Sequence, residues 1–218
     1  MKKYFVRWSA WMLAVLASGL LSACDGGGGG GVSYKNFDFG DNDRNKVVAL
    51  GDSITKGGTC DGDGAPYPRR IADITGLNVI NAGVDAEQTS RSAARTGGVL
   101  RKYKPGFLLI LTGHNDAIFG RDYNAVIGNL RSIVRQAKNN KTVPIIATLL
   151  PISAPRSFAT GPAEEYNTGI RQMAKEEGAK LVDLEREFGN SGELQCDGLH
   201  PNDQGTAVIA NAFSDKLP

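Results

Sequence analysis

The apolar positions of this chain fall into short continuous runs that alternate with longer segments of helical periodicity. Five runs rich in β-branched residues and leucine cover residues 46–50, 77–81, 107–112, 143–150 and 180–184. Continuous apolar runs of this length are typical of strands buried on both faces of a sheet. Segments 122–139 and 164–177 repeat apolar residues at helical spacing, and Gly178 is predicted to cap the second. The alternation predicts an α/β domain with a five-stranded parallel sheet covered by helices on both faces.

The first 23 residues have the pattern of an export signal rather than of the folded domain. Lys2, Lys3 and Arg7 form a basic region, an uncharged, mostly apolar stretch follows over 8–20, and small residues lead into Cys24. The Leu-Ser-Ala-Cys run resembles a bacterial lipobox, in which Cys24 becomes the lipidated N-terminus. Glycines 26–31 are typical of a flexible tether. We therefore expect a signal peptide over 1–23, a lipidated tether over 24–32 and one domain over 33–218, with a plain secretory signal or an uncleaved anchor as the alternatives.

The net charge of the chain changes from positive to slightly negative once this signal is removed. The chain has 25 basic and 23 acidic residues, and removing the three basic residues of the signal leaves a net charge of about −1. The basic balance therefore comes from the signal, and the domain carries no electrostatic footprint of nucleic-acid binding. The expected location is the periplasmic or outer side of a bacterial membrane, held by the lipid anchor.

Residues with catalytic chemistry follow four of the five predicted strands. Ligands of parallel α/β sheets bind beyond the carboxyl ends of the strands, so these positions should meet at one edge. The segments are Gly-Asp-Ser-Ile-Thr at 51–55, Ala-Gly at 82–83, Gly-His-Asn-Asp at 113–116 and Asp-Gly-Leu-His-Pro at 197–201. They supply a hydroxyl, a glycine backbone, a carboxamide and an acid–imidazole pair, which together are what acyl transfer requires.

Ser53 is the candidate nucleophile, and it needs a neighbouring base to take its proton. The chain has two histidines. His200 follows Asp197 by three residues, so that one tight turn would let the carboxylate orient the imidazole. His114 lacks such a partner in sequence and is expected to line the pocket or to support it. The predicted triad is Ser53, His200 and Asp197.

The tetrahedral intermediate of acyl transfer also needs hydrogen-bond donors for its oxyanion. We expect three: the backbone N–H of Ser53, the backbone N–H of Gly83 and the side-chain amide of Asn115. Gly83 suits the role because a residue without Cβ lets the backbone approach a substrate closely.

These four segments, in this order, resemble the motif blocks of the SGNH, or GDSL-type, hydrolase family. The matching residues read GDSIT, NAG, GHND and DGLHPN and span nearly the whole domain. The resemblance implies a flavodoxin-like fold, hydrolysis of carboxylic esters without a cofactor or metal, and the triad and oxyanion residues named above. The sequence departs from the commoner family wording after Gly83, where it reads VDAEQTS, and this departure concerns the shape of the pocket.

Other patterns in the chain carry no function. Glycines 26–31 match a dinucleotide-binding motif, but no strand precedes them. The acidic residues at 41–45 lack the glycine of an EF-hand loop, and Thr55 stands where an α/β-hydrolase elbow has its second glycine. We expect no metal site.

Cys60 and Cys196 should both lie near the catalytic edge, since one follows Ser53 by seven residues and the other precedes Asp197. Outside the cytosol such a pair can oxidise, and a disulfide between them would fix the His200 loop against the loop after Ser53. Two free thiols are the alternative.

The substrate is not specified by these motifs. A short-acyl, aryl, lysophospholipid or thioester substrate is the first expectation, and a glycan O-acetyl ester is the second. A catalytically silent binding lipoprotein with the same fold is the non-enzymatic alternative.

Overall fold

The computed structural model describes residues 33–60, 64–189 and 192–218. The predicted signal peptide, the tether and Cys24 lie outside these residues.

Five strands form one sheet in which every neighbouring pair is parallel. The strands are β1 (Asp43–Gly51), β2 (Asn78–Gly83), β3 (Pro105–Leu111), β4 (Val143–Ala147) and β5 (Lys180–Val182). Their order across the sheet is β2-β1-β3-β4-β5. The predicted five-stranded parallel sheet is confirmed.

Eight α-helices in the described part of the chain connect and cover these strands. They are α1 (Ser53–Lys56), α2 (Tyr67–Thr75), α3 (Thr89–Tyr103), α4 (His114–Ile118), α5 (Tyr123–Asn139), α6 (Thr160–Glu177), α7 (Leu184–Phe188) and α8 (Asp203–Ser214). Asp122 caps α5 by accepting from the N–H of Ala125, and Gly178 ends α6 in a left-handed conformation. The helices predicted over 122–139 and 164–177 are therefore confirmed, although α6 begins four residues earlier.

Successive residues of each strand point to opposite faces of the sheet, so the core is split into two clusters. Val48, Leu50 and Ile110 lie on the face that packs against apolar residues of α5 and α6. Val47, Ala49 and Leu109 lie on the face that packs against residues of α2 and α8. The result is a three-layer sandwich in which the sheet is buried on both sides.

The predicted strand over 143–150 is too long. Strand pairing stops at Ala147, although the apolar run continues. Beyond that point the N–H of Leu149 donates to the side chain of Asn167, and the N–H of Leu150 donates to Nε2 of His114. Side-chain acceptors thus replace the sheet ladder, and the chain turns away at the edge where the candidate site lies.

Within the described residues, no helix combines the length and the apolar character needed to cross a membrane.

Candidate active site

Ser53 lies at the first turn of a short helix directly beyond β1. The Asp52 side chain caps this helix by accepting a 3.0 Å hydrogen bond from the N–H of Ile54. The strand-to-helix turn is tight, because a Cβ at Gly51 would come 2.2 Å from the carbonyl oxygen of Leu111. The turn therefore presents the Ser53 hydroxyl at the carboxyl edge of the sheet, with its backbone N–H at a helix N-terminus.

The loop before α8 brings His200 to this hydroxyl. Oγ of Ser53 lies 3.1 Å from Nε2 of His200. On the other side of the ring, Nδ1 lies 2.8 Å from Oδ2 of Asp197. Because a carboxylate accepts hydrogen bonds, the ring proton belongs on Nδ1, and Nε2 is left to accept the hydroxyl proton of Ser53. The structure thus places the three predicted triad residues in one hydrogen-bonded chain.

The Asp197 carboxylate is held in its ionised form. Partial burial favours the neutral acid and raises its pKa, but hydrogen bonds from the ring and backbone N–H of His200 and from the backbone N–H of Leu199 act in the opposite direction. The net pKa of Asp197 lies below its ordinary value. An ionised carboxylate beside Nδ1 is the partner that a histidine acting as a general base would require.

The structure does not leave the N–H of Gly83 free. Gly83 belongs to β2, and its N–H donates a 2.9 Å hydrogen bond to Oδ1 of Asn81. Its lack of a side chain serves packing, because a Cβ there would come 2.2 Å from the backbone nitrogen of Lys56. This position is therefore a close approach between β2 and α1, and its N–H is already used.

Ala86, three residues further on, offers the backbone N–H that was expected of Gly83, although it carries a Cβ. It is exposed, has a positive φ of 54°, and its N–H makes no hydrogen bond within the described part of the chain. The carbonyl of the next residue, Glu87, accepts a 3.1 Å hydrogen bond from Nδ2 of Asn115. The turn at Ala86 and the Asn115 carboxamide therefore lie side by side.

Asp116 fixes the helix that carries Asn115. Its buried carboxylate accepts from the hydroxyl of Thr89 at 2.7 Å and from the backbone N–H of Thr89 at 2.9 Å. Burial raises the pKa of Asp116 above its ordinary value. These bonds tie the start of α4 to the start of α3, which stabilises the position of the Asn115 side chain.

His114 lies behind the site and is almost fully buried. Its Nε2 accepts a 3.0 Å hydrogen bond from the N–H of Leu150, so the proton of the neutral ring is on Nδ1. That atom faces Oδ2 of Asp52 at 3.4 Å. His114 thus supports the turn that holds Ser53.

Cys60 and Cys196 are joined by a disulfide, with their Cα atoms 5.8 Å apart. Because Cys196 directly precedes Asp197, the bond connects the segment after the Ser53 helix to the loop that carries the acid and the imidazole. The described residues contain no group of three or more His, Cys, Asp or Glu side chains arranged to hold a metal ion.

Three supporting interactions were not found by sequence reasoning. Nδ2 of Asn81 donates to the carbonyls of Thr55 and Lys56 and so connects β2 to the Ser53 helix. Buried Glu87 forms an ion pair with Arg95, and Arg156 contacts Asp197. Each contact joins residues that no regular spacing connects, so the sequence offered no signal for them.

A serine, an imidazole and a carboxylate gathered at the carboxyl edge of a parallel sheet form the arrangement expected of a serine hydrolase. The profile of the GDSL-like Lipase/Acylhydrolase family matches residues 49–208. The chain therefore belongs to this family, and it is a carboxylic ester hydrolase.

Individual relatives are more distant. The chain is 25% identical to thioesterase 1/protease 1/lysophospholipase L1 of Escherichia coli, over 78% of this chain and 82% of that protein. It is 28% identical to esterase TesA of Pseudomonas aeruginosa, over 71% and 79%. Among solved structures, a G-D-S-L family lipolytic protein from Desulfitobacterium hafniense superposes with a TM-score of 0.68 at 22% identity, covering 79% of this chain and 99% of that one.

Proposed function

We propose that this protein hydrolyses carboxylic esters by two-step acyl transfer, with Ser53 as nucleophile, His200 as general base and Asp197 as the group that orients His200. The observation that carries the proposal is the unbroken chain of contacts Ser53 Oγ–His200 Nε2 at 3.1 Å and His200 Nδ1–Asp197 Oδ2 at 2.8 Å. Both distances are within hydrogen-bond reach, which is the geometric requirement for a base and its nucleophile.

The proposed reaction forms and breaks one acyl–oxygen bond in each step. Ser53 Oγ attacks the ester carbonyl while its proton moves to Nε2 of His200, and the imidazolium then gives this proton to the departing alcohol. A water molecule next gives a proton to Nε2 and attacks the acyl-enzyme, and the proton returns to Oγ as the carboxylic acid leaves. Asp197 stays ionised throughout and balances the positive charge on the ring.

We propose that the oxyanion hole consists of the N–H of Ser53, the N–H of Ala86 and Nδ2 of Asn115. Ala86 replaces Gly83 in this assignment because the N–H of Gly83 is bonded to Asn81, whereas that of Ala86 has no acceptor among the described residues. The contact between Asn115 and the carbonyl of Glu87 supports the placement of the last two donors next to each other. Donors held by the fold before the substrate arrives do not need to reorganise as the oxyanion forms.

We propose an ester with an apolar acyl or aryl group as the substrate. Phe119 follows the helix of Asn115, and Phe158 lies in the 3₁₀ helix Ser157–Ala159, which packs against that helix. The two side chains are 59% and 68% exposed. Exposed apolar side chains that lie together often mark the surface that binds an apolar ligand. The relatives named as thioesterase, lysophospholipase and esterase support the same class.

A fluorophosphonate probe tests the nucleophile directly, since it forms a covalent bond with an activated serine. We expect labelling of the wild-type protein, loss of labelling in Ser53→Ala and unchanged labelling in Ser90→Ala, an exposed serine on α3. Equal labelling of wild type and Ser53→Ala would refute the assignment. No labelling of the wild type would favour a silent binding protein.

Hydrolysis of aryl esters of increasing acyl length, run beside acetyl release from an acetylated glycan, tests the substrate class. We expect turnover of the aryl esters and little release of acetate from the glycan. The reverse preference would identify a glycan O-acetylesterase.

We also propose that Cys24 carries the lipid anchor. Metabolic labelling with a fatty acid should modify the wild-type chain and not Cys24→Ser. Equal incorporation into both chains would exclude a lipid on this cysteine.

A further inference from the structure

Segment 151–156 packs closely against the loop that carries Asp197 and His200. The N–H of Ser153 donates a 2.9 Å hydrogen bond to the carbonyl of Gly198, and Nε2 of Gln195 donates at 2.9 Å to the carbonyl of Pro151. Gly198 has a φ of +74°, and a Cβ there would come 2.3 Å from the carbonyl oxygen of Ala154. The two segments are therefore in contact without room for a side chain between their backbones.

Arg156 ends this segment and reaches back to the acid of the proposed triad. Its backbone N–H donates to the carbonyl of Ser153 at 2.7 Å, which fixes the turn from which the side chain projects. Nη1 donates to the backbone carbonyl of Asp197 at 2.5 Å and lies 3.4 Å from Oδ2 of the same residue. In the described part of the chain, no other Lys or Arg nitrogen lies within 4.0 Å of the Asp197 carboxylate.

The Asp197 carboxylate is held by hydrogen bonds from its own turn and by Arg156. Oδ1 accepts from the backbone N–H groups of Leu199 and His200, at 3.0 and 2.7 Å. Oδ2 accepts from Nδ1 of His200 at 2.8 Å. Arg156 is the group outside this tight turn that holds both the backbone and the carboxylate of Asp197. A guanidinium is well suited to this, because several N–H donors project from one rigid plane.

We propose that Arg156 is a positioning residue that keeps the Asp197 carboxylate aimed at Nδ1 of His200. This inference rests on the proposed triad and assigns no contact between Arg156 and the substrate. It predicts that Arg156 affects the chemical step through Asp197 and leaves substrate binding largely unchanged.

Arg156→Gln keeps a polar side chain but removes the charge and the planar set of donors. We expect kcat for an aryl acetate to fall about tenfold, with KM changed less than twofold, because small misplacements of catalytic groups are costly to the chemical step. Arg156→Lys, which can still donate to the Asp197 carbonyl, should recover part of the loss. Arg44→Gln, an exposed arginine before the buried part of β1, is the matched control and should keep wild-type kinetics.

A double-mutant cycle with Asp197→Ala distinguishes positioning from a general structural effect. When the carboxylate is absent, Arg156→Gln should lower kcat less than twofold, since nothing remains to be aimed. An equal loss in both backgrounds would overturn the proposal, and so would a raised KM with unchanged kcat, which would identify a substrate-binding residue. If Arg156→Gln does not fold, Arg156→Lys is taken through the same cycle. Full activity of Ser53→Ala would instead refute the proposed function, so the two failures are distinguishable.

Discussion

Nε2 of His114 accepts a 3.0 Å hydrogen bond from the backbone N–H of Leu150. This bond occupies the ring nitrogen that a general base would use and places the ring proton on the side of Asp52. The two histidines of the chain therefore differ in kind: one has a ring nitrogen next to a serine hydroxyl, and the other is built into the core.

Replacing His114 by Phe should affect stability more than catalysis. The variant leaves the buried N–H of Leu150 without an acceptor, which typically costs about 1–3 kcal/mol. His200→Gln, by contrast, should lower kcat by about 10³-fold or more at nearly unchanged Tm. Thermal unfolding and steady-state kinetics of both variants check this. A larger kcat loss in the His114 variant than in the His200 variant would reverse the assignment of the base.

Asn115→Ala should lower kcat by about 10²–10³-fold, the usual effect of removing one oxyanion donor. KM should change little, because the donor acts mainly on the charge that develops in the transition state. Asn211→Ala, an exposed asparagine on α8, serves as the control. A loss below tenfold would show that the carboxamide is not a main donor.

Gly58 makes the position of the His200 ring sensitive to a single methyl group. A Cβ at Gly58 would come 3.0 Å from the carbonyl oxygen of Ser53 and 3.1 Å from Cδ2 of His200. Gly58→Ala should therefore lower kcat by about tenfold or more, because the ring must shift. Gly98→Ala, where the new Cβ would meet no side chain or other segment of the described chain within 4 Å, should keep full activity and gain a little stability. Equal kinetics for the two variants would contradict this reading of the contact.

The ion pairs of Glu177, at the end of α6, should make the stability of the fold depend on pH. Hydrogen bonds from Arg135 and Arg131, which lie on α5, lower the pKa of Glu177 from 4.5 to about 2. The ionised form is thus favoured in the folded state, so the stabilisation is complete above about pH 4.5 and is lost as the pH falls towards 2. Glu177→Gln should lower Tm at pH 7 by on the order of 1–3 °C, and the difference should shrink over this window.

Glu164→Gln, on the same helix but without an ion pair to any described residue, is the control and should leave Tm at pH 7 nearly unchanged. A Tm difference for Glu177→Gln that stays constant from pH 7 to pH 2 would mean that the ion pairs do not stabilise the fold.

Because Cys60 and Cys196 are joined in a disulfide, we expect no titratable thiol at either position in denatured, unreduced protein from the exported fraction. Replacing both cysteines by serine should lower the free energy of unfolding by about 2–5 kcal/mol, as for other long-range disulfides. Two free thiols in the exported protein would exclude the bond.

The sequence predicted most reliably the strands, because their residues are buried on both faces of the sheet. Residues such as Val48 and Leu109 lie in strands covered on both faces, so their runs are continuously apolar and easy to recognise. Helix α3 gives a weaker signal, because three of the four residues it buries are Thr89, Ser92 and Thr96, and only Leu100 is apolar. The periodicity of apolar residues is a poor guide to a helix whose most buried positions are largely polar.

In the candidate site, the sequence identified the catalytic side chains better than it identified which backbone N–H groups are free to donate. Ser53, His200 and Asp197 are marked by their chemistry and their place after strands. The Gly83 N–H was expected to be a free donor, but it is bonded to Asn81. The contact of Arg156 with Asp197 joins residues 41 positions apart. Neither is visible in a pattern of residue types, because both depend on the path of the turns.

The bond between Cys60 and Cys196 encloses a segment with a sequence separation of 136 residues. The exposed turn at Gly120 and Arg121, between α4 and α5, lies within that segment. A peptidase cutting once after Arg121 would break the backbone between the fragment with Ser53 and the fragment with His200. Because each fragment keeps one of the two sulfur atoms, the nicked enzyme would remain a single covalent molecule.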